Sequence, residues 1–97
     1  MQVKVLPIAD AQNEYAEEVA QKLRQIKVRV EVDESNEKIG YKIRKAQLEK
    51  VPYMLVVGAK EVEVNAVAVR SRKSGDMGQM QVDEFINKIQ DEIKSKI

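Results

Sequence analysis

The segment Tyr53-Met-Leu-Val-Val-Gly58 decides the fold of this 97-residue chain. Its apolar run ends at a glycine, a pattern typical of a central strand that is buried on both faces. Such strands occur in parallel sheets, because the helices that connect parallel strands cover both faces. The segment therefore predicts an α/β protein with helices on both sides of a central sheet.

The sequence before this strand alternates between strand and helix patterns. Val3 and Val5 predict a first strand that ends at Pro7, since proline is tolerated at a strand end. An apolar stripe at helical spacing predicts a first helix, which Asp10 is placed to cap. Lys27 falls in the following turn, where glycine would be the easier choice. The stripe consists of Tyr15, Val19, Leu23 and Ile26, and the alternation of Val28, Val30 and Val32 predicts the second strand.

A second helix is predicted between the second strand and the central strand. Asn36 is placed to cap this helix, and Pro52 ends it. Gly40 inside the helix costs about 1 kcal/mol relative to alanine. Its presence therefore indicates either packing against the sheet or close approach by another backbone. The apolar face of the helix carries Ile39, Ile43 and Ala46.

The chain after the central strand folds back along the sheet. Residues 58–61 match neither a phosphate loop nor a dinucleotide loop, so we interpret them as a turn between strands. Residues 66–70 predict a half-exposed fourth strand, and Ser74-Gly75-Asp76 predicts a turn before an edge strand at 77–80. The last helix has the strongest helical periodicity, from Val82, Phe85, Ile86, Ile89 and Ile93.

The predicted order β-α-β-α-β-β-(β)-α describes one α/β domain that covers residues 1–97. Right-handed crossovers make the first three strands parallel, and the tight turn makes the end of the sheet antiparallel. The longest apolar run is too short to span a bilayer, and the chain opens with no recognisable secretory signal. We therefore expect a cytoplasmic protein with no membrane partner.

The chain contains no cysteine and no histidine. These absences exclude disulfides, thiolate nucleophiles, histidine-based triads and the common zinc sites. An independent enzyme would have to use carboxylate, lysine or tyrosine chemistry with strongly shifted pKa values. We therefore expect no catalytic residue and no metal ligand in this chain.

Charge is balanced in total but unevenly distributed. The chain has 17 basic and 16 acidic side chains, so its net charge does not announce a nucleic-acid partner. Two segments are locally basic. The first segment carries Lys38, Lys42, Arg44, Lys45 and Lys50, and the second carries Arg70, Arg72 and Lys73. The second leaves a half-exposed strand, so it is either a solvated edge that discourages strand pairing or a group of cations that can grip phosphate or contact a guanine edge.

These segments together resemble the C-terminal anticodon-binding domain of threonyl-tRNA synthetases, a family of class II aminoacyl-tRNA synthetases. The resemblance is carried by residues 32–63, VDESNEKIGYKIRKAQLEKVPYMLVVGAKEVE, and by residues 67–78, VAVRSRKSGDMG. The segments 3–25 and 83–89 resemble the family as well, so nearly the whole chain is covered. The prolyl, histidyl and glycyl enzymes share the fold but have different residues in these segments.

The resemblance implies a fold, a function and a set of partners. The implied fold has three layers, with a five-stranded mixed sheet flanked by three helices. The implied function is to hold the anticodon loop of threonine tRNA and to recognise its last two bases, G and U. The implied partners are that tRNA and the remainder of the synthetase. In the family ATP, magnesium and zinc belong to the catalytic domain, so the resemblance implies no cofactor for this chain.

The resemblance also assigns candidate site residues. Unstacked loop bases expose their Watson–Crick edges, which amide, carboxylate and guanidinium groups can pair with. The positions that meet the anticodon bases in the family are Asn36, Lys50, Glu61 and Arg70 here. Neighbouring cations would hold phosphates, which position the RNA without specifying its sequence. These are Lys38, Lys42, Arg44, Arg72 and Lys73.

Several residues depart from the family pattern. Lys50 stands where arginine is common, Ser35 stands where a basic residue is usual, and Ala59 replaces an aspartate. Ile26-Lys27 and Val64-Asn65-Ala66 replace segments that contain a glycine. These changes leave an alternative, in which the chain is a stand-alone or redesigned scaffold of the same fold with little or no RNA binding.

Overall fold

The computed structural model describes residues 2–35 and 37–95, which form five strands and four helices. A single 3-10 turn, Asp10–Gln12, precedes the first helix. The strands are β1 (Gln2–Pro7), β2 (Arg29–Val32), β3 (Tyr53–Val57), β4 (Ala66–Ser71) and β5 (Gly75–Gln81). The helices are α1 (Asn13–Arg24), α2 (Ile39–Leu48), α3 (Ala59–Val64) and α4 (Val82–Ser95).

The strands form one mixed sheet in the order β2-β1-β3-β4-β5. Strand β1 pairs in parallel with both β2 and β3, and β4 pairs antiparallel with β3 and β5. The structure therefore confirms the α/β class, the five-stranded mixed sheet and the parallel and antiparallel parts expected from the sequence. The central position of β3 is confirmed as well.

Two hydrophobic clusters pack on opposite faces of the sheet. On one face, here called the α1/α4 face, Leu23 of α1 and Phe85 of α4 cover Val5, Leu55 and Val69. The ring of Tyr53 also meets that of Phe85 edge-on, at 5.6 Å between centroids. The opposite face, the α2 face, has a smaller cluster of Leu6, Ala46, Val51 and Met54.

The helix α3 corrects the interpretation of residues 58–61 as a turn. It is only six residues long, too short for an apolar stripe to be visible in the sequence. Its start is stabilised by Glu61, whose Oε1 accepts a hydrogen bond from the backbone N–H of Gly58 at 2.8 Å. Its end lies at Asn65, which takes the left-handed conformation with φ 54°. Asparagine tolerates this conformation, so the glycine that is usual in this turn is not required.

The turn between β4 and β5 lies two residues earlier than expected, at residues 72–74. Gly75 already pairs with Ser71 as the first residue of β5. Both Gly75 and Gly78 have positive φ values, of 74° and 82°. The register of β4 and β5 also shifts between Val69 and Arg70. The glycines of this segment thus serve an irregular strand instead of the turn itself.

Helix starts were the least well predicted feature. Asp10 lies inside the 3-10 turn, where Gln12 accepts the N–H of Ala9 at 3.0 Å, so the expected capping role of Asp10 is wrong. Lys38 is the N-cap of α2, and Asn36 lies outside the described residues. The expectation for Lys27 is confirmed, since it takes a left-handed conformation with φ 65°. Over residues 2–35 and 37–95, no helix is long and apolar enough to cross a membrane.

Candidate nucleic-acid interface

Helix α2 covers only part of the α2 face of the sheet. Met54 pairs with Arg70, and Ala68 pairs with both Val56 and Gln79. Paired residues have their side chains on the same face of a sheet. Because Met54 is on the α2 face, its partner is there too. Val56 and Ala68 lie two positions along the same strands and are also on this face, as is Gln79, the partner of Ala68. Met54 is buried under α2, whereas the others are half-buried or exposed. We call the uncovered strip the open sheet face. It is formed by Val56, Ala68, Arg70 and Gln79.

Arg70 lines a cavity of about 290 Å³ at one end of the open sheet face. The cavity lies between the end of α2, which contributes Gln47, and the β4–β5 turn, which contributes Arg72. Two arginines therefore line this space together with apolar and amide residues. Guanidinium groups present several N–H donors in a fixed fork, which suits carbonyl and phosphate oxygens.

Lys50 lies at the same end of the α2 face. It is exposed, between Gln47 and Val51, which both line the cavity. Its φ is 60°, and its backbone N–H closes the end of α2 by donating to Gln47 at 3.1 Å. The left-handed backbone directs the chain from the helix into β3. Lys50 therefore lies at the end of α2 that borders the cavity, next to Val51 in sequence, and its contact with a base stays a prediction.

Glu61 lies at the other end of the open sheet face. One carboxylate oxygen accepts the N–H of Gly58, and the other accepts the side-chain amide of Gln79 at 3.1 Å. Gln79 pairs with Ala68, which is two residues from Arg70, a rise of about 7 Å along the strand. A carboxylate offers about four acceptor positions, so Glu61 can accept further donors while it caps α3.

The structure overturns the phosphate-binding assignment of Lys42. This side chain is only 2% exposed, and its ammonium donates to the carbonyls of Pro7 at 2.9 Å and Asp33 at 3.1 Å. A signal was present in the sequence, because Lys42 is spaced from Ile39 and Ala46 as a member of the apolar stripe. Lys42 is therefore part of the core and joins α2 to the ends of β1 and β2.

The pKa of Asp33 is lowered in the folded chain, in part by the two lysines beneath α2. Burial alone would raise its pKa, but hydrogen bonds from Ser35 and the charges of Lys42 and Lys4 outweigh burial and lower it. Lys4 is itself 5% exposed and pairs with Glu49 at 2.6 Å. These buried lysines stabilise the fold under α2 and are not presented to a ligand.

The remaining phosphate candidates are at the surface. Lys38 at the N-cap of α2 and Arg44 on α2 are exposed, and Arg72 and Lys73 are exposed in the β4–β5 turn. Gly40 is also exposed, and no described atom outside its own helix turn lies within 4 Å of a Cβ built on it. Packing against the sheet therefore does not explain Gly40. Space for close approach by another backbone remains.

Sequence reasoning missed the two glutamines of this surface. Gln79 follows a glycine in an irregular strand, so alternation gives no signal for its face. Gln47 carries no signal in the sequence, and its place in the site is visible only because it lines the same cavity as Arg70 in the structure. Within the described part of the chain, no three histidine, cysteine, aspartate or glutamate side chains gather where they could hold a metal ion.

Comparison with known proteins gives the family. The family described as "Anticodon binding domain" matches residues 2–92. A threonine–tRNA ligase of Clostridium botulinum strain Okra is 58% identical over 96 residues, which cover 99% of this chain and 15% of that protein. A threonine–tRNA ligase of Acetivibrio thermocellus is 59% identical over the same coverage. The chain thus spans about 15% of the length of these curated relatives.

Solved structures agree with this result. The RNA binding domain of threonyl-tRNA synthetase from Cryptosporidium parvum superposes with a TM-score of 0.87 at 33% identity. That match covers 93% of this chain and 23% of the other. A prolyl-tRNA synthetase of the same organism matches with a TM-score of 0.86 at 24% identity, which shows the shared fold alone. The chain therefore belongs to the anticodon-binding domain family and is of the threonyl-tRNA synthetase type.

Proposed function

We propose that this chain binds the anticodon loop of a threonine tRNA and recognises its last two bases. The observation that carries the proposal is the placement of Arg70 and Glu61 at the two ends of one open sheet face. Arg70 offers a donor at one end of this face, and Glu61 offers an acceptor at the other end. The activity of a complete ligase, and attachment to the remainder of a synthetase, belong to the same proposal.

Each of the two side chains has a suitable partner on a base edge. Arg70 donates to a base carbonyl, and Glu61 accepts from guanine N–H groups. Val56 and Ala68 lie between them and form a small apolar surface against which a base can pack. Lys50 adds a positive charge at the end of α2 but lacks the planar fork of the arginine usual in the family.

The exposed cations supply the contacts to the RNA backbone. Lys38 at the N-cap of α2 and Arg44 on α2 are exposed, as are Arg72 and Lys73 in the β4–β5 turn, and Arg72 also lines the cavity that contains Arg70. The bare surface at Gly40 lets a phosphate backbone lie close to α2 between the first two of these cations. Such contacts fix the position of the loop, while the bases are recognised on the sheet.

Titration of a threonine tRNA anticodon stem-loop tests the proposal. Binding is measured at about 50 and about 200 mM salt, because phosphate contacts make the affinity fall with salt. A stem-loop with the last two anticodon bases exchanged is the RNA control. Arg70→Ala is compared with Arg29→Ala, which removes an arginine charge from the edge strand β2, away from the open sheet face.

We expect salt-dependent binding that prefers the natural loop and that Arg70→Ala weakens, while Arg29→Ala leaves it unchanged. Equal binding to both loops would contradict base recognition and leave a surface that only holds phosphates. Equal effects of the two arginine variants would contradict the assignment of Arg70.

The scaffold alternative has two observations in its favour. Both carboxylate oxygens of Glu61 already accept hydrogen bonds within the chain, and the net charge is only +1. A domain with these features can keep its fold without useful RNA affinity. Absence of binding at both salt concentrations, with the fold intact, would favour this alternative.

A further inference from the structure

A second and larger cavity lies on the α1/α4 face, at the same end of the sheet as Arg70. Its volume is about 620 Å³, and it lies between the β4–β5 turn and the helix α4. Ser71 and Arg72 line this cavity and also the smaller one that contains Arg70. The β4–β5 turn is thus the wall between two cavities that open on opposite faces of the sheet.

The charge of the larger cavity is predominantly positive. Of the described residues, the cations Arg72, Lys73 and Lys88 line it together with the single carboxylate Glu92. The two oxygens of that carboxylate accept hydrogen bonds from the phenol of Tyr53 at 2.7 and 2.8 Å. The ammonium of Lys88 lies 3.7 Å from one of them. The acid is therefore already engaged, and the cations remain in excess.

The turn itself is held in a fixed shape. The hydroxyl oxygen of Ser71 accepts the backbone N–H groups of Lys73 and Ser74, both at 3.1 Å. Arg72 is anchored through its N–H to the carbonyl of Pro52 at 2.9 Å. A turn fixed in this way can hold Arg72 and Lys73 toward a ligand with little loss of backbone entropy on binding.

We infer that the larger cavity holds phosphates of the same RNA, whose backbone passes around the β4–β5 turn from the open sheet face. This inference rests on the proposed function and adds Lys88 of α4 as a contact to the RNA backbone. Cations and hydroxyl groups suit phosphate oxygens. The one aromatic side chain that lines the cavity in the described chain, Tyr53, is 7% exposed and offers no free face for stacking a base.

Two charge-neutralising substitutions in the cavity and one outside it test this inference on the stem-loop used above. Lys88→Gln should reduce the slope of log affinity against log salt by about 0.7 to 0.9, the effect of one lost phosphate contact. Glu92→Gln should strengthen binding, because it removes the negative charge and keeps an acceptor for Tyr53. Lys22→Gln is the matched control, since Lys22 is exposed on α1 and is not among the residues that line either cavity. Lys88→Arg should restore the slope of the parent chain.

The outcomes separate this inference from the proposed function. A parent chain that prefers the natural loop, with Lys88→Gln no different from Lys22→Gln, would overturn the phosphate site and leave the function standing. Equal binding to both loops with the slope change at Lys88 would support the phosphate site and contradict base recognition. No binding of the parent chain to either loop would overturn both. Saturable binding of inorganic phosphate that Lys88→Gln weakens, with an unchanged salt slope for the stem-loop, would identify a site for free anions and overturn the assignment.

Discussion

The ammonium of Lys42 donates a hydrogen bond to the carbonyl oxygen of Pro7 at 2.9 Å, across 35 residues of sequence. The same ammonium donates to Asp33, so one side chain of α2 holds the carboxyl ends of β1 and β2. A lysine that looks like a surface cation in the sequence is thus buried at a position of the apolar stripe of α2. Its role is to orient α2, and with it the border of the open sheet face.

Substitution of this lysine should test its role in stability. Lys42→Met keeps the length of the side chain but removes the donor, so we expect the free energy of unfolding to fall by about 1–3 kcal/mol. Arg44→Met on the exposed side of α2 should change it by less than about 0.5 kcal/mol. Denaturant unfolding of the three proteins measures the difference. An effect of Lys42→Met no larger than that of Arg44→Met would contradict the core role.

Glu61 should contribute to base discrimination through its charge. Glu61→Gln keeps an oxygen acceptor for the N–H of Gly58 but weakens acceptance from guanine, so the preference for the natural loop should fall by about tenfold, or about 1.4 kcal/mol. Glu61→Ala should in addition lower stability by about 1 kcal/mol, because the cap of α3 is lost. The two stem-loop affinities and the unfolding midpoint of each variant are the measurements. An unchanged preference in Glu61→Gln would exclude Glu61 from base recognition.

Stability should decrease at alkaline pH because of Tyr53. Burial, the hydrogen bond to Glu92 and the negative charge of Glu92 raise the pKa of Tyr53 from 10.0 to about 12. The unfolded chain therefore loses this proton at a lower pH than the folded chain does. The stabilisation is complete below pH 10 and is lost as the pH rises toward about 12.

The comparison of Tyr53→Phe with the parent isolates this effect. The variant should show a shallower decrease of unfolding free energy between about pH 10 and 12. Tyr15→Phe is a useful second variant, because burial and the charges of Glu61 and Glu18 raise the pKa of Tyr15 as well. Parallel stability curves for the parent and Tyr53→Phe would show that Tyr53 does not carry the effect.

Lys27 offers a test of backbone strain. Its left-handed conformation, with φ 65°, costs about 1 kcal/mol for a residue with a side chain, and glycine adopts it freely. We expect Lys27→Gly to increase the free energy of unfolding by about 0.5–1 kcal/mol. Lys22→Gly inside α1 is the control and should decrease it by about 1 kcal/mol. If both variants lose stability equally, the conformation at Lys27 is not strained.

The parts of the fold that sequence could predict are those set by long apolar patterns. The bounds of β3 follow from its unbroken apolar run, and the parallel order of β1, β2 and β3 follows from the alternation of strands and helices. Helix α3 could not be found in this way, since its start depends on one Glu61 side chain and its end on one asparagine. The β4–β5 turn was misplaced because Gly75 indicates a turn in sequence but lies in a strand.

The site was predicted less completely than the fold. The resemblance located Arg70, Glu61 and Lys50, and the structure places them around one face, although their contacts with bases stay predictions. Lys42 was assigned from its charge, whereas its spacing in the apolar stripe already indicated burial. The larger cavity could not be foreseen, because it joins Lys88 to a turn that is distant in sequence.

The irregularity of β5 has a consequence for the behaviour of the protein at high concentration. An edge strand can add a strand from a second molecule only if its backbone is long, regular and flat. The register shift beside Arg70 and the positive φ values of Gly75 and Gly78 interrupt that regularity on one edge. The other edge, β2, is four residues long and carries the exposed charges of Arg29 and Glu31. Both edge strands of the sheet are therefore protected against the edge-to-edge aggregation to which open sheets are prone.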